Sequence, residues 1–393
     1  MTPAKPSLDL LRSLTDEHVV RALMEEGRLT RAELAARTGI SKPTISESVR
    51  RLVDADLVRD TGERTTGPGR IGTYYALSNT LGCALVASVA PEGILAETVD
   101  AHGAVLSRSE LGIPRPTGPG QLARRLRQAA GTALGGHGRR ARLAVVSAAD
   151  PVDRTSGRLV HLPDAPFLVG ELSPADVLRP LVQGPVLVDN DVNWAAEAER
   201  RARTGSAMND FAYLHLGEGL GAAVVSDGQV RRGHHGLTGE IAHLVVTGPA
   251  DRAMCFTDVF GELRLRRAGS TAIDVPALLA STSEGPRAEA SRDVLAKAVC
   301  DVLAALVALC DPAVVIIGGT WGSDRGIMTA IKARSRELPR SVAMDTPSVQ
   351  HEPSLAGARN EALEQLRSSI TTSARTLAKA TDGSTNAAAQ TPE

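Results

Sequence analysis

A chain of 393 residues exceeds one ordinary domain and implies two or three. It is 42% hydrophobic but only 2% aromatic, so it can bury a substantial core, and that core must be aliphatic. With 44 basic residues against 45 acidic ones, no global field draws the molecule to nucleic acid or membrane, and any such contact must be local.

Residues 16 to 27 read as a helix whose apolar face is Val19, Val20, Leu23 and Met24. Thr30 and Glu33 have the spacing of a capping box, so a second helix starts at Thr30 and runs to Thr38. Gly39 then closes it in the left-handed conformation that only glycine adopts cheaply. Ile40 plugs the turn, Ser41 caps a third helix, and Pro43 is tolerated in its first turn, where N–H groups lack partners. Ile45, Val49 and Leu52 pack this third helix inward, while Pro43, Thr44, Glu47, Arg50 and Arg51 face outward, with Lys42 near its start. That is a helix-turn-helix, whose second helix enters a major groove. A three-helix bundle with a solvated charged face would share these features, so the next segment decides. Residues 57 to 60 read as a strand, 62 to 70 as a Gly/Pro/Arg tip, and 74 to 77 as a return strand: a wing. Arg64 and Arg70 on the tip are placed for phosphates or a minor groove. Residues 1–80 are therefore expected to bind double-stranded DNA through Lys42, Thr44, Arg50, Arg51, Arg64 and Arg70.

Further along, residues 143 to 149 form a short buried strand that runs into Asp150-Pro151-Val152-Asp153. Residues 186 to 189 are a second apolar strand, delivering Asn190 and Asp191 at the end where α/β folds place ligands. An Asx turn capping the Ala-rich helix that follows would use the same residues. Gly217-Glu218-Gly219-Leu220-Gly221 is a glycine-rich turn between apolar runs, and Asp227-Gly228 is a hairpin signal. Glycines then bracket Glu240 and His243 in residues 236 to 243, which fits backbone held close to a ligand, or a glycine-turned β core. Residues 296 to 310 read as a buried helix, 314 to 319 as a strand ending in a glycine turn, and 356 to 363 as the closing helix. From Thr371 the chain is Ser/Thr/Ala-rich without apolar period and reads as a disordered tail, residues 371–393. The four cysteines, Cys83, Cys255, Cys300 and Cys310, are scattered with no C-x-x-C pair. They fit a reduced cytoplasm and offer neither a disulfide framework nor a metal cluster. No segment is apolar enough to span a bilayer, and a cytoplasmic location is expected.

The run Gly236-Leu237-Thr238-Gly239-Glu240-Ile241-Ala242-His243, with Asn190-Asp191 as a second match, resembles the signature of the ROK family. That family holds sugar kinases and sugar-responsive repressors on one actin/hexokinase-like fold. The resemblance implies an α/β, two-lobed body over residues 81–370 that binds ligand and dimerises, behind the winged helix-turn-helix that the family's repressors carry. It implies a sugar or sugar phosphate at Asn190, Asp191, Glu240 and His243, Asp191 being the family kinases' general base. The family's phosphate turn, D-x-G-x-T, is degraded here: Ser88 stands for the Asp, Ala90 and Pro91 for the glycines, and Glu92 for the Thr. Proline removes a donor and Glu puts negative charge where a phosphate would sit. Of the family's cysteine cluster only Cys255 remains, so no zinc is expected, with Phe256 and Phe260 packing the loop instead. Glu262 is a loose match to a further sugar contact.

The expectation is therefore a sequence-specific repressor without catalytic residues, metal or cofactor. It would bind a palindromic operator as a homodimer or dimer of dimers, under control of a sugar. A regulator with no sugar ligand, and an ATP-dependent sugar kinase, are the alternatives.

Overall fold

The computed structural model describes residues 8–66, 71–114, 117–162, 167 and 171–387. The head begins with α1 (Leu8–Glu26), β1 (Arg28–Thr30), α2 (Arg31–Thr38) and α3 (Lys42–Asp54). The capping box closes as its spacing requires: Glu33 N–H donates to Thr30 Oγ1 at 3.2 Å and Thr30 N–H to the Glu33 carboxylate at 2.7 Å. Gly39 ends α2 at φ 70°, and Ser41 caps α3. Ile45, Val49 and Leu52 are buried against Val19, Leu23 and Leu34. The wing is β2 (Val58–Arg64) antiparallel to β3 (Thr73–Leu77), with β1 on the far side of β3. Arg70 lies outside the described residues.

The first lobe holds β4 (Cys83–Ala90), β5 (Gly93–Val99), β6 (Val105–Leu111), α4 (Pro119–Gly135), β7 (Ala141–Ala148), α5 (Pro174–Leu178), β8 (Val186–Asn190) and α6 (Asp191–Ala202). Its sheet runs β6-β5-β4-β7-β8, with β4, β7 and β8 parallel. Strand alternation sends Leu85, Ala87 and Val89 toward α4, and Ala84 and Val86 to the opposite face. The second lobe follows with β9 (Phe211–Leu216), β10 (Leu220–Ser226), β11 (Gln229–Val230), β12 (Val245–Thr247), β13 (Ala253–Cys255), α7 (Phe256–Glu262), α8 (Val275–Ser281), α9 (Pro286–Cys310), β14 (Val314–Gly318), α10 (Arg325–Ser335) and β15 (Ala343–Asp345). Its main sheet is β11-β10-β9-β14-β15. Ala212, Leu214, Val315 and Ile317 face α9, while Tyr213, Val225 and Ile316 meet α6. Helix α6 thus sits between the two lobes, and Asp191 is its first residue.

The chain closes with α11 (Pro353–Ala387), so residues 371–387 of the expected disordered tail are helical, and 388–393 lie outside the described residues. Leu366, Ile370 and Ala374 are fully buried in a cluster that also contains Val19, Leu23 and Val49 of the head and Trp194 of α6. The stripe steps by four residues and continues beyond Thr371 in the small Ala374, which a reading keyed to large apolar residues misses. Head and body therefore share one core through α11.

Ile370→Ala removes a fully buried side chain from that shared core and should cost about 2–4 kcal/mol. Denaturant unfolding checks this; a change below about 0.5 kcal/mol, the range of surface substitutions, would mean that the helix end is not packed.

Candidate functional site

The place where Asp191 and Glu240 approach each other is built from strand ends and glycine-dependent loops. β8 lies beside β7 so that Asn190 is level with Ala148, and both strands release their chains at the same edge. Asn190 caps α6, its Oδ1 accepting from Val192 N–H at 2.9 Å. Its amide also donates to the Ala148 and Asp150 carbonyls, both at 3.4 Å. The Asx cap that the sequence allowed is formed, and it ties the β7 turn to the α6 start.

Asp191 is only partly exposed on the first turn of α6. Burial pushes its carboxyl up to about 7, and the negative charge of Glu92 adds to the rise. Glu240 arrives from the second lobe. Burial likewise pushes it up to about 7, with Asp191 and then Asp150 contributing. Carboxylates from four separate segments therefore share one field.

The loop that delivers Glu240 is held by two glycines. Gly239 has φ 96°, its carbonyl accepts from Ala222 N–H at 2.8 Å, and an added Cβ would lie 1.8 Å from the Ala222 carbonyl oxygen. Gly236 has φ 83°, with a Cβ position 2.0 Å from the Val152 carbonyl oxygen. The loop is thus pressed against β10 on one side and the first lobe's Pro151-Val152 turn on the other. No larger residue fits either place. His243 ends a short 3-10 turn and is exposed.

At the degraded phosphate turn, β4 and β5 stay in register up to Ala90 opposite Gly93, and Pro91-Glu92 is a two-residue hairpin turn. Near the former cysteine cluster, Phe256 and Phe260 are fully buried, with Phe260 5.7 Å from Trp321, as expected for an apolar replacement. Cys255 precedes α7 as its N-terminal flank. Glu262 forms a 2.7 Å ion pair with Arg252 at the surface.

In the head, Lys42 and Thr44 are exposed at the start of α3, the Thr44 hydroxyl 2.8 Å from that of Ser41. Arg50 is exposed and paired with Glu47 at 2.6 Å, and Arg64 is paired with Asp60 at 3.0 Å. Arg51 does not point outward as the sequence suggested. It is 16% exposed and turned inward onto Asp16 at 2.7 Å, a carboxylate only 1% exposed. Its partner is 35 residues away, which helix periodicity cannot reveal. Three surface arginines escaped the sequence reading. Arg28 lies over Tyr74 and Arg31 over Tyr75, each 5.0 Å from the ring centroid, and Arg59 is exposed on β2. The in-out alternation Val58-Arg59 was the available signal for the last.

Among the described residues no cluster of His, Cys, Asp or Glu is arranged to hold a metal ion, and no helix is long and apolar enough to cross a membrane. A family model described as ROK family matches residues 92–363, and a winged helix-turn-helix DNA-binding model matches residues 12–59. The DNA-binding transcriptional dual regulator NagC of Escherichia coli K12 is 21% identical over 252 residues, 63% of this chain and 61% of that protein. The chain thus matches about three fifths of that relative's length. A solved ROK family transcriptional regulator, described as a homologue of the E. coli MLC protein, superposes with TM-score 0.62 at 18% identity, covering 92% of this chain and 99% of that one. A ROK family glucokinase from Streptomyces griseus, solved with glucose and AMPPNP, gives TM-score 0.55 at 23% identity over 71% of this chain and 99% of that one.

The raised carboxyls have a consequence for stability. Asp191 and Glu240 hold protons more tightly folded than unfolded, so the folded state loses stability as pH rises from about 4 toward 7 and beyond. Asp191→Asn should flatten that slope and stabilise the unliganded protein at pH 8 by on the order of 1–2 kcal/mol after solvent screening. Urea unfolding at pH 5.5 and pH 8 reads this; an unchanged slope would show that Asp191 is not desolvated.

Proposed function

We propose that this chain, which belongs to the ROK family, is a sequence-specific DNA-binding repressor controlled by a sugar or sugar phosphate, and is not a kinase. The observation that carries the reading is the winged helix-turn-helix head packed into the same core as the cleft-bearing body. The relative named as a DNA-binding transcriptional dual regulator supports it.

In this reading α3 enters the major groove with Lys42, Thr44 and Arg50, and the wing brings Arg64 and Arg70 to the backbone. Arg50 and Arg64 exchange their carboxylate partners for phosphates or base edges. Arg51 stays inside as a strut. Two heads on a homodimer read the two halves of a palindrome. The protein works where its DNA is, in the cytoplasm.

In the cleft, Asp191 and Glu240 accept hydrogen bonds from sugar hydroxyls, His243 closes the rim, and Asn190 holds the strand end that aims Asp191. Ligand hydroxyls replace the water that these partly buried carboxylates lose on folding, which offsets their desolvation. Phosphoryl transfer needs donors around the phosphates. Here the equivalent turn offers Pro91, which has no N–H, and Glu92, which carries the wrong charge. Asp191 then acts as a hydroxyl acceptor alone.

Genomic fragments selected by the purified protein, challenged with a panel of sugars and sugar phosphates, test this. One ligand should shift operator affinity by about fivefold or more, within the usual range of allosteric coupling. The shift should vanish in Asp191→Ala and Glu240→Ala. Specific DNA binding that no sugar moves would favour a ligand-free scaffold. Sugar-dependent ATP turnover would make the chain a kinase, and absence of specific DNA binding at low salt would overturn the regulator.

A further inference from the structure

A recognition helix can be re-aimed only by what grips its inner side. On α3 the apolar part of that grip is Ile45, Val49 and Leu52, and its polar part is the Asp16 carboxylate. Ser48 Oγ–H donates to Asp16 Oδ1 at 2.5 Å, and Arg51 reaches the same carboxylate at 2.7 Å and 3.3 Å. The next residue, Glu17, faces the opposite neighbour and accepts from Arg375 on α11 at 2.5 Å and from Arg21 at 2.9 Å. Two consecutive side chains of α1 thus hold the recognition helix and the C-terminal helix.

At its other end α11 is locked to α6, the helix that Asp191 begins. Gly357 touches the Trp194 backbone so closely that an added Cβ would lie 1.9 Å from its carbonyl oxygen. Arg201 of α6 pairs with Glu364 at 2.5 Å and Glu361 at 3.6 Å. Between these ends α11 is fixed along its length. Arg359 grips the buried Glu97 at 3.0 Å, Arg367 donates to the Ala101 carbonyl at 2.8 Å, and Arg142 reaches Ser369 at 3.2 Å and Ser373 at 3.3 Å. From Gly357 to Arg375 the helix is a rod about 27 Å long at 1.5 Å per residue. A packed rod moves as a unit, so what displaces one end reaches the other.

We propose that α11 carries the state of the ligand cleft to the recognition helix, with Glu17 and Asp16 as the positioning residues that receive it. Movement of α6 shifts α11, Arg375 draws on Glu17, and α1 re-aims α3 through the Asp16 contacts to Ser48 and Arg51. The role of the cleft rests on the function proposed above; the mechanical path does not.

The test uses the full chain and needs no effector. Gly357→Ala wedges α6 from α11, and Arg201→Ala loosens the same contact more gently, serving if the first variant fails to fold. Each is made with and without Arg375→Ala, and with Arg375→Lys. Amide exchange over residues 42–54 is read by mass spectrometry, and affinity is read on the selected operator. The perturbations at α6 should change exchange in α3 and shift operator Kd by about fivefold or more, the lower range of allosteric coupling. Arg375→Ala should cut that shift to less than about twofold, and Arg375→Lys should retain it. Shifts that persist unchanged beside Arg375→Ala, or perturbations that never reach α3, overturn the path. If no operator is found the regulator reading fails, while the exchange measurement still decides the path.

Discussion

The structure depends on one apolar seam, the stripe of α11 formed by Leu355, Ala358, Ala362, Leu366, Ile370 and Ala374. Its neighbours come from three parts of the molecule: α1 of the head, β4 and β7 of the first lobe, and α6 between the lobes. Its small residues let the backbones come close, most of all where Gly357 meets Trp194. Because apolar burial is non-directional, this seam alone would leave orientation loose. The charged contacts at its borders, Arg359 to Glu97, Arg201 to Glu364 and Arg375 to Glu17, fix it.

The cleft follows the opposite logic. Asp191, Glu240, Asp150 and Glu92 crowd negative charge, and the loop carrying Glu240 needs glycine at two places where nothing else fits. Such a cluster opposes folding and is tolerated because the surrounding core is large.

Much of this was legible in the sequence where the determinants are local. Thr30, Glu33, Gly39 and Ser41 act within four residues of themselves, so the head's helix boundaries followed directly. The family resemblance at residues 236 to 243 and 190 to 191 picked out the segments that carry Asp191 and Glu240, whose carboxyls the fold brings into one field. What could not be read is what long-range packing decides. Arg51 sits on the flank of α3 between the buried and outward faces, and only the distant Asp16 turns it inward. The convergence of Glu92, Asp191 and Glu240 joins positions far apart in the chain. The C-terminal stripe extends past Thr371 in Ala374, but alanine among Ser and Thr carries a weak hydrophobic signal, and that segment reads as disordered until α1 is seen against it.

Coupling of DNA reading to sugar sensing within one body has a thermodynamic signature. By linkage, a sugar that weakens operator binding must itself bind the operator complex more weakly, by the same factor. Calorimetric titration of that sugar into the free protein and into the operator complex measures this directly. Coupled sites give Kd values that differ by the factor seen in operator release, while equal values would rule the coupling out.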